Sequence, residues 1–313
     1  MLIKQVIELI DILDSPSASG AAVEQYLRTI DPQANSEIYA LQGPKGKTDM
    51  VKVRIPGTAH GTSSGVSAPT TGLLGRLGVL GARPERIGFV SDGDGALCAL
   101  SVAAKLLDMK VKGDRLDGDV FISTHVCPDA PTRPHTPVPF MDSPVEMAQV
   151  NREEVTDELD AILSVDTTKG NKIINTRDFS ISPTVMQGYI LKVSSDLVDL
   201  MEITLGKPAH VFPLSQQDIT PYGNDLYHLN SILQPATATK APVVGVAIAT
   251  QTPVPGCATG ASHFADIEEA ARFMLEAAKA FGRGTLSFYD KDEFAHIQAL
   301  YGDMSRFQGF GKQ

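Results

Sequence analysis

The sequence predicts an α/β fold: a mixed, mostly parallel central sheet with helices on both faces. Three observations predict it. The segments IGFVS (87–91), DVFIST (119–124), AILSVD (161–166) and PVVGVAIAT (242–250) are apolar without alternation, the pattern of strands covered on both faces. Segments with helical periodicity separate them. No repeat or low-complexity linker divides the 313 residues, a length sufficient for one large core, so 1–313 reads as a single domain.

Each element follows in order. Leu2, Ile3, Val6, Ile7, Ile10 and Leu13 recur at helical spacing, SPSASG (15–20) stops that helix, and AAVEQYLRTI begins a second. EIYAL, the polar turn GPKGKTD and the alternating MVKVRI form a strand pair over 37–55, followed by a Gly/Ser/Thr-rich loop from Gly57 to Pro69. The four apolar segments named above are expected at the centre of the sheet. Helices are predicted at 96–109, near 151–159, at 195–206, at 225–233 and at 265–281, with further strands at 188–194 and 209–214. The loop over 128–144 is proline-dense, and the tail from Gly282 is polar and aromatic and predicted to pack on the surface.

Composition narrows the function. The chain has 27 Lys+Arg against 37 Asp+Glu, a formal net charge of −10, and no basic run. Such a chain repels phosphate backbones, so no nucleic-acid partner is expected. No apolar run approaches the ~18–20 residues of a membrane span, and the opening MLIKQVIELIDILD carries acids and no small-residue cleavage site, unlike a signal peptide. Three cysteines, Cys98, Cys127 and Cys257, build no disulfide framework and suit a reducing, cytoplasmic compartment.

Ligands of open α/β sheets bind beyond the carboxyl ends of the strands. That rule selects Asp92 and Asp94 after IGFVS, His125, Cys127 and Asp129 after DVFIS, Asp166 at the end of AILSVD, Cys257 after PVVGVAIAT, and His60 past Ile55. Carboxylates and imidazoles held at several strand ends are the donor set of a divalent metal, zinc or another. Each has a plainer reading: Asp92 or Asp94 as a helix N-cap, Asp166 as a turn residue, His125 as a core histidine, His60 as a solvated loop residue, Cys127 and Cys257 as small buried hydrophobes.

The order of elements resembles the superfamily of co-catalytic zinc exopeptidases, which includes aminoacylases and glutamyl aminopeptidases. The resemblance rests on ELIDILDSPSASGAAVEQYLRTI, on SDGDGALCALSVAAKLL, on AILSVDTTKG, on YGNDLYHL, and on the closing helix ADIEEAARFMLEAAKAF. It implies Asp92 as the metal-bridging aspartate, His60 as the first histidine ligand at a similar separation, and Asp166 as a further aspartate ligand. It also implies Asp225 at the superfamily's Gly-Thr-Asp turn. The chain is further identified as a divergent member of an uncharacterised prokaryotic family of unknown function. Where the superfamily has a Glu-Glu pair, one glutamate the general base, this chain reads THVCPDAP, with Pro128 and Asp129. Its last histidine ligand falls near Cys257, with His263 six residues later, and no lid or dimerisation domain is inserted.

The implied function is a metal-dependent hydrolase-like protein acting on a small amide, peptide or N-acyl amino acid. Its metal ligands would be His60, Asp92, Asp129, Asp166 and Cys257, with Asp129 or His125 moving the proton. The partner is then a small-molecule or peptide substrate, with homo-oligomerisation open. Two rivals remain: a non-catalytic member that binds a small metabolite or partner protein, and a cysteine-dependent enzyme using Cys127 and Cys257.

Overall fold

The computed structural model describes residues 1–59, 68–226, 231–254 and 259–309. Helices α1 (Ile3–Leu13) and α2 (Gly20–Ile30) come first, then the hairpin β1 (Asn35–Gly43) and β2 (Gly46–Ile55). Strand β3 (Thr71–Gly75) leads through a long connection to α3 (Asp94–Val111), and β4 (Val120–Val126) follows. A small ribbon of β5 (Thr132–Arg133) and β6 (Phe140–Met141) precedes α4 (Met147–Glu154) and β7 (Ala161–Thr168). The short strands β8 (Phe179–Ile181), β9 (Val185–Met186) and β10 (Tyr189–Ile190) lead to α5 (Ser195–Leu205). Strand β11 (Val243–Ala249) and helices α6 (Phe264–Gly282) and α7 (Lys291–Tyr301) complete the chain.

The main sheet has the order β1-β2-β4-β3-β7-β11-β9-β10, with β8 also on β11. Its centre, β4-β3-β7-β11, is parallel, and antiparallel pairs flank it on both sides. The mixed α/β fold read from the sequence is the observed one. One face packs Leu73, Ile122, Leu163 and Val246 against α1, α3 and α6. The opposite face packs Leu74, Phe121, Ile162 and Val243 under Phe212, Ile232 and Leu233. Alternation along each strand sends neighbouring side chains to these two layers, which is why the strands are apolar at every position. Caps set several helix starts: the Ser19 hydroxyl accepts from Ala22 N, Ser194 from Leu197 N, and Asp290 from Asp292 and Glu293 N.

One central strand differs from expectation. Residues 87–91 form no strand, and TGLLG, as β3, takes the place between β4 and β7. Gly88 has φ +89°, which breaks an extended run, and Ile87 is 94% exposed. Asp14 and the Leu80 carbonyl bind the amides of Phe89 and Val90 instead. The other differences are smaller. The predicted strand 188–194 shortens to β10, 209–214 contributes an isolated bridge at Val211, and the helix near 151–159 ends at Glu154. The tail contains α7, whose Phe294 is buried beside Tyr189 and Tyr289. Of the predicted helix 225–233, residues 227–230 lie outside the described residues, and Asp225 and Leu226 before them are not helical. None of the described helices is long and apolar enough to cross a membrane.

Helix α3 sits very close to the sheet. A Cβ on Gly95 would lie 2.1 Å from the Arg76 carbonyl oxygen and 2.5 Å from that of Val165, and one on Gly75 would lie 2.9 Å from Ala99 Cβ. Backbone atoms cannot swing aside as a side chain can. Gly95→Ala is therefore expected to destabilise the fold by about 2–3 kcal/mol, read as a lower urea midpoint with unchanged slope; a midpoint equal to the parent's would show that the helix can lift away freely.

Candidate functional site

The parallel strands end together, and their last inward side chains form a polar row. Arg76 directly follows β3, its amide bonded to the Val165 carbonyl at 2.8 Å. Leu74 is in register with Ser123 of β4 and Ser164 of β7. Two residues on, at the same face, stand His125, Arg76 and Asp166. All three are buried, with Arg76 wholly enclosed.

The Arg76 guanidinium faces α4. Its Nη2 lies 2.9 Å from Glu154 Oε1 and donates to Asn151 Oδ1, while Asn151 Nδ2 donates to the Gln234 carbonyl at 3.1 Å. Glu154 is as deeply buried as its partner. Burial pushes its carboxyl up to about 7 against the pull of Arg76 and Lys52. This pair joins the central strand to the covering helix, and the Arg76 charge also reaches His125, Asp166 and Tyr222.

Three acids occupy the carboxyl edge beside it. Asp166, late in β7, accepts from the Ser231 hydroxyl and, at 2.7 Å, from Thr167 N. Desolvation raises it to about 6, opposed by Ser231, Thr167 N and then the charges of Arg76 and Lys169. Asp94 opens α3, and the close seat of Gly95 brings it to the end of β7. It accepts from the Ser262 hydroxyl and lies 3.8 Å from Lys169 Nζ. Burial raises it to about 7; Lys169 and Ser262 oppose, and nearby Asp166 adds to the rise. Asp92 is buried two residues earlier in the 3-10 turn Ser91–Gly93. The first two acids thus share one electrostatic environment with Lys169, an environment poor in water.

Of the remaining expected residues, His125 stands in the polar row but makes its hydrogen bond away from the acids. His125 Nδ1 pairs with Thr48 Oγ1 at 2.8 Å; the Thr48 hydroxyl donates to the Val126 carbonyl, so Nδ1–H is the donor to it. Nε2 has no hydrogen-bond partner among the described residues, and burial followed by the Arg76 charge lowers the imidazole to about 3. His125 is therefore neutral at physiological pH. Asp129 is exposed beyond β4, its Oδ1 3.7 Å from Cys127 Sγ, on a cavity of about 380 Å³ shared with Lys45, Lys47 and Asp49. That cavity opens beside β2, with β4 and β3 between it and the strand of Asp166. Cys127 is buried and its thiol pushed up to about 12, the opposite of what a reactive thiolate needs. His60 and Cys257 lie outside the described residues. His263 is exposed at the start of α6, and Asp225 is exposed.

Carboxylates buried at strand ends suit a hard divalent cation in kind, and Asp94 Oδ2 lacks a hydrogen bond of normal geometry. In number, no three His, Cys, Asp or Glu side chains among the described residues converge closely enough to hold a metal ion. Sequence reasoning missed Arg76, Glu154, Lys169, Ser231 and Ser262. Their only signal is position: each follows or faces the end of a central strand.

The family described as "Protein of unknown function (DUF1177)" matches residues 39–311, and the chain belongs to it. No curated protein matches the chain. Among solved structures, the bottromycin maturation enzyme BotP is 14% identical with a TM-score of 0.53, over 88% of this chain and 70% of that one. A glutaminyl cyclase from an Acidobacteriales bacterium is 15% identical with a TM-score of 0.51, over 90% and 94%. The LapA aminopeptidase of Legionella pneumophila is 10% identical with a TM-score of 0.50, over 92% and 72%. BotP is also solved in complex with Mn. At such identities the likeness is one of fold alone.

Two outcomes follow from the Arg76–Glu154 pair. Arg76→Met should lower stability by about 3–5 kcal/mol because it strands a buried acid, and adding Glu154→Leu should restore most of the loss; equal loss in single and double variants, by urea denaturation, would refute the pairing. Glu154 binds its proton more tightly folded, at about 7, than at its ordinary 4.5. Folded protein therefore holds the extra proton across that window, and stability relative to Glu154→Gln should fall as pH rises from about 4.5 to about 7. Parallel stability–pH curves for the two proteins would contradict this.

Proposed function

We propose that this chain is a metal-dependent hydrolase-like protein acting on a small amide, peptide or N-acyl amino acid from a single α/β domain. The observation that carries the reading is the group Asp92, Asp94 and Asp166, buried at the carboxyl edge of the central parallel strands. Asp92 and Asp166 are the proposed ligands for a divalent metal, zinc or another. The set read from the sequence adds His60, Cys257 and Asp129.

A divalent cation held by these residues would supply Lewis acidity toward a substrate carbonyl. The chain's own groups do the rest. Ser231 and Thr167 N fix the two oxygens of Asp166, and Ser262 fixes one oxygen of Asp94, so the carboxylates are oriented before any ligand arrives. The Phe212, Ile232 and Leu233 layer excludes water from below. Asp129 is the proposed proton carrier because it is reachable from solvent, while the enclosed, neutral His125 is not; from its cavity beyond β4 it would have to act on a substrate that extends there from the Asp166 end.

A second reading has specific support. Pro128 follows β4 where the resembled superfamily has its general base, and a chain without that base binds a small metabolite or partner without turning it over.

Metal analysis and a panel of dipeptides and N-acyl amino acids separate the readings. The expected result is about one or two bound equivalents of zinc or manganese, with hydrolysis lost on chelation and in Asp166→Asn. Asp129→Asn should lower turnover by about 10²–10⁴-fold while leaving the thermal midpoint unchanged. Ligand binding without hydrolysis in any metal-loaded form would leave the binding reading in place of the hydrolase.

A further inference from the structure

The two edges of the main sheet are finished differently. At one end, β9 and β10 are two residues long each, and the tail lies against them. The Tyr189 hydroxyl donates to the Gly302 carbonyl, and a Cβ on Gly188 would lie 2.1 Å from the Met304 carbonyl oxygen. At the other end stands β1, nine residues long and paired with β2 from Asn35↔Arg54 to Gly43↔Gly46 without a bulge. It has no lysine, arginine or proline, the devices by which an edge ordinarily repels another strand.

The turn between β1 and β2 fixes which backbone groups β1 presents. Its two residues, Pro44 and Lys45, are closed by the partners Gly43 and Gly46, the hydrogen-bonded pair of a two-residue hairpin. By strict alternation, Leu41, Tyr39, Glu37 and Asn35 then bond β2, while Gln42, Ala40, Ile38 and Ser36 point their amides and carbonyls outward. Two of these outward groups are engaged within the chain. The Gln42 carbonyl accepts from Gln149 Nε2 at 3.1 Å, and the Ser36 amide donates to the Ala34 carbonyl at 3.1 Å. Between them lie Ile38 and Ala40, and no described strand lies beyond β1.

We infer that the β1 edge is a dimer interface, pairing antiparallel with β1 of a second copy of this chain about a twofold axis at Ile38. The register follows from the backbone groups. Gln149 closes the edge at Gln42, so the added strand runs over 36–40. About the axis, Ile38 exchanges both of its bonds with Ile38 of the second copy, and each Ala40 amide meets the Ser36 carbonyl opposite, about four hydrogen bonds in all. The side chains agree with this register. Glu37, the only charged residue of β1, comes opposite Tyr39 of the second copy. The Tyr39 ring already carries Lys52 Nζ at 4.9 Å from its centroid. An acid therefore meets a lysine once on each side of the axis, and no like charges are opposed. On the opposite face Ile38, packed against the core, meets its own copy and extends the apolar layer across the axis. A strand of unrelated sequence would supply the backbone bonds without these paired charges, which a twofold contact makes twice.

The test is sedimentation velocity on the full chain over a wide range of concentration. It is run at about 0.15 M salt, where a Debye length of ~8 Å screens the net charge of −10 on each copy. A dimer is expected. Ala40→Pro removes the outward amide and leaves the bonds to β2, and proline is tolerated on an edge whose N–H faces solvent, so this variant is expected to be folded and monomeric. Glu37→Lys, at an exposed position, sets a lysine beside Lys52 of the second copy and is expected to weaken the dimer at least about ten-fold, less so at high salt. Circular dichroism checks each fold; should Ala40→Pro unfold, Glu37→Lys decides alone. Loss of the dimer in Ala40→Pro with Glu37→Lys unaffected would keep the edge and overturn the axis at Ile38. A parent monomeric at every concentration would overturn the proposal and leave the edge to an extended segment of another protein or to none. A dimer of equal affinity in the parent and both variants would also overturn it, placing the interface on another surface.

Discussion

The whole carboxyl end of the sheet depends on how closely the first turn of α3 rests on the carbonyls of Arg76 and Val165. Only a residue without a side chain fits at Gly95, and Gly75 and Ala99 extend the same close contact along the helix. That seat carries Asp94 to the tip of β7. With α3 filling one face, the Arg76 side chain stands on the other, where α4 meets it with Glu154 and Asn151. A packing constraint on two glycines thereby arranges the charges on both sides of the sheet.

Those charges are costly to bury and are retained in pairs. Desolvation is the largest influence on Asp94, Asp166, Glu154 and His125 alike, pushing the acids up and the imidazole down. For the acids, hydroxyls, one backbone amide and the cations Arg76, Lys52 and Lys169 offset it. Buried ion pairs of this kind add little net stability compared with apolar packing of the same shape, but they penalise any arrangement that separates them. The chain's own guanidinium and ammonium supply positive charge at the strand ends.

Much of the architecture was legible in the amino-acid order because burial on both faces writes itself as uninterrupted apolar runs, as in DVFIST, AILSVD and PVVGVAIAT. The central strand was not. TGLLG is five residues long and two of them are glycine, Gly72 required by Leu159 and Ile162 on one side and Gly75 by α3 on the other, so it carries little β-propensity. IGFVS carries more and is not a strand, because Gly88 turns the chain and Asp14 takes the amide of Phe89. For the candidate site, the strand-end rule selected Asp166 at the end of a true strand, but it selected Asp92 and Asp94 through IGFVS, which is not one; they reach the same edge from the turn before α3 and from its first residue. The rule also selected Asp129, but cannot tell which side of a strand end a loop residue leaves by. Arg76 and Lys169 escaped because a buried cation is recognisable only by the acids around it, and these come from α4, α3 and β7.

The position of β3 bears on how the chain reaches this structure. Thr71 pairs with Val120 on one side and Ala161 on the other, so the middle strand is made early and acquires its neighbours late. During synthesis, the α1–α2 helices and the β1–β2 hairpin can form from local contacts, while the Leu73–Leu74 segment must stay unpaired until β4 and then β7 have emerged. Long-range parallel pairing of this kind is intrinsically slow, and an apolar segment awaiting its partners is the part of a nascent chain most open to aggregation or chaperone capture. The two glycines of β3 and the arginine that ends it make that segment short, flexible and charged at one end, which limits how adhesive it is while it waits.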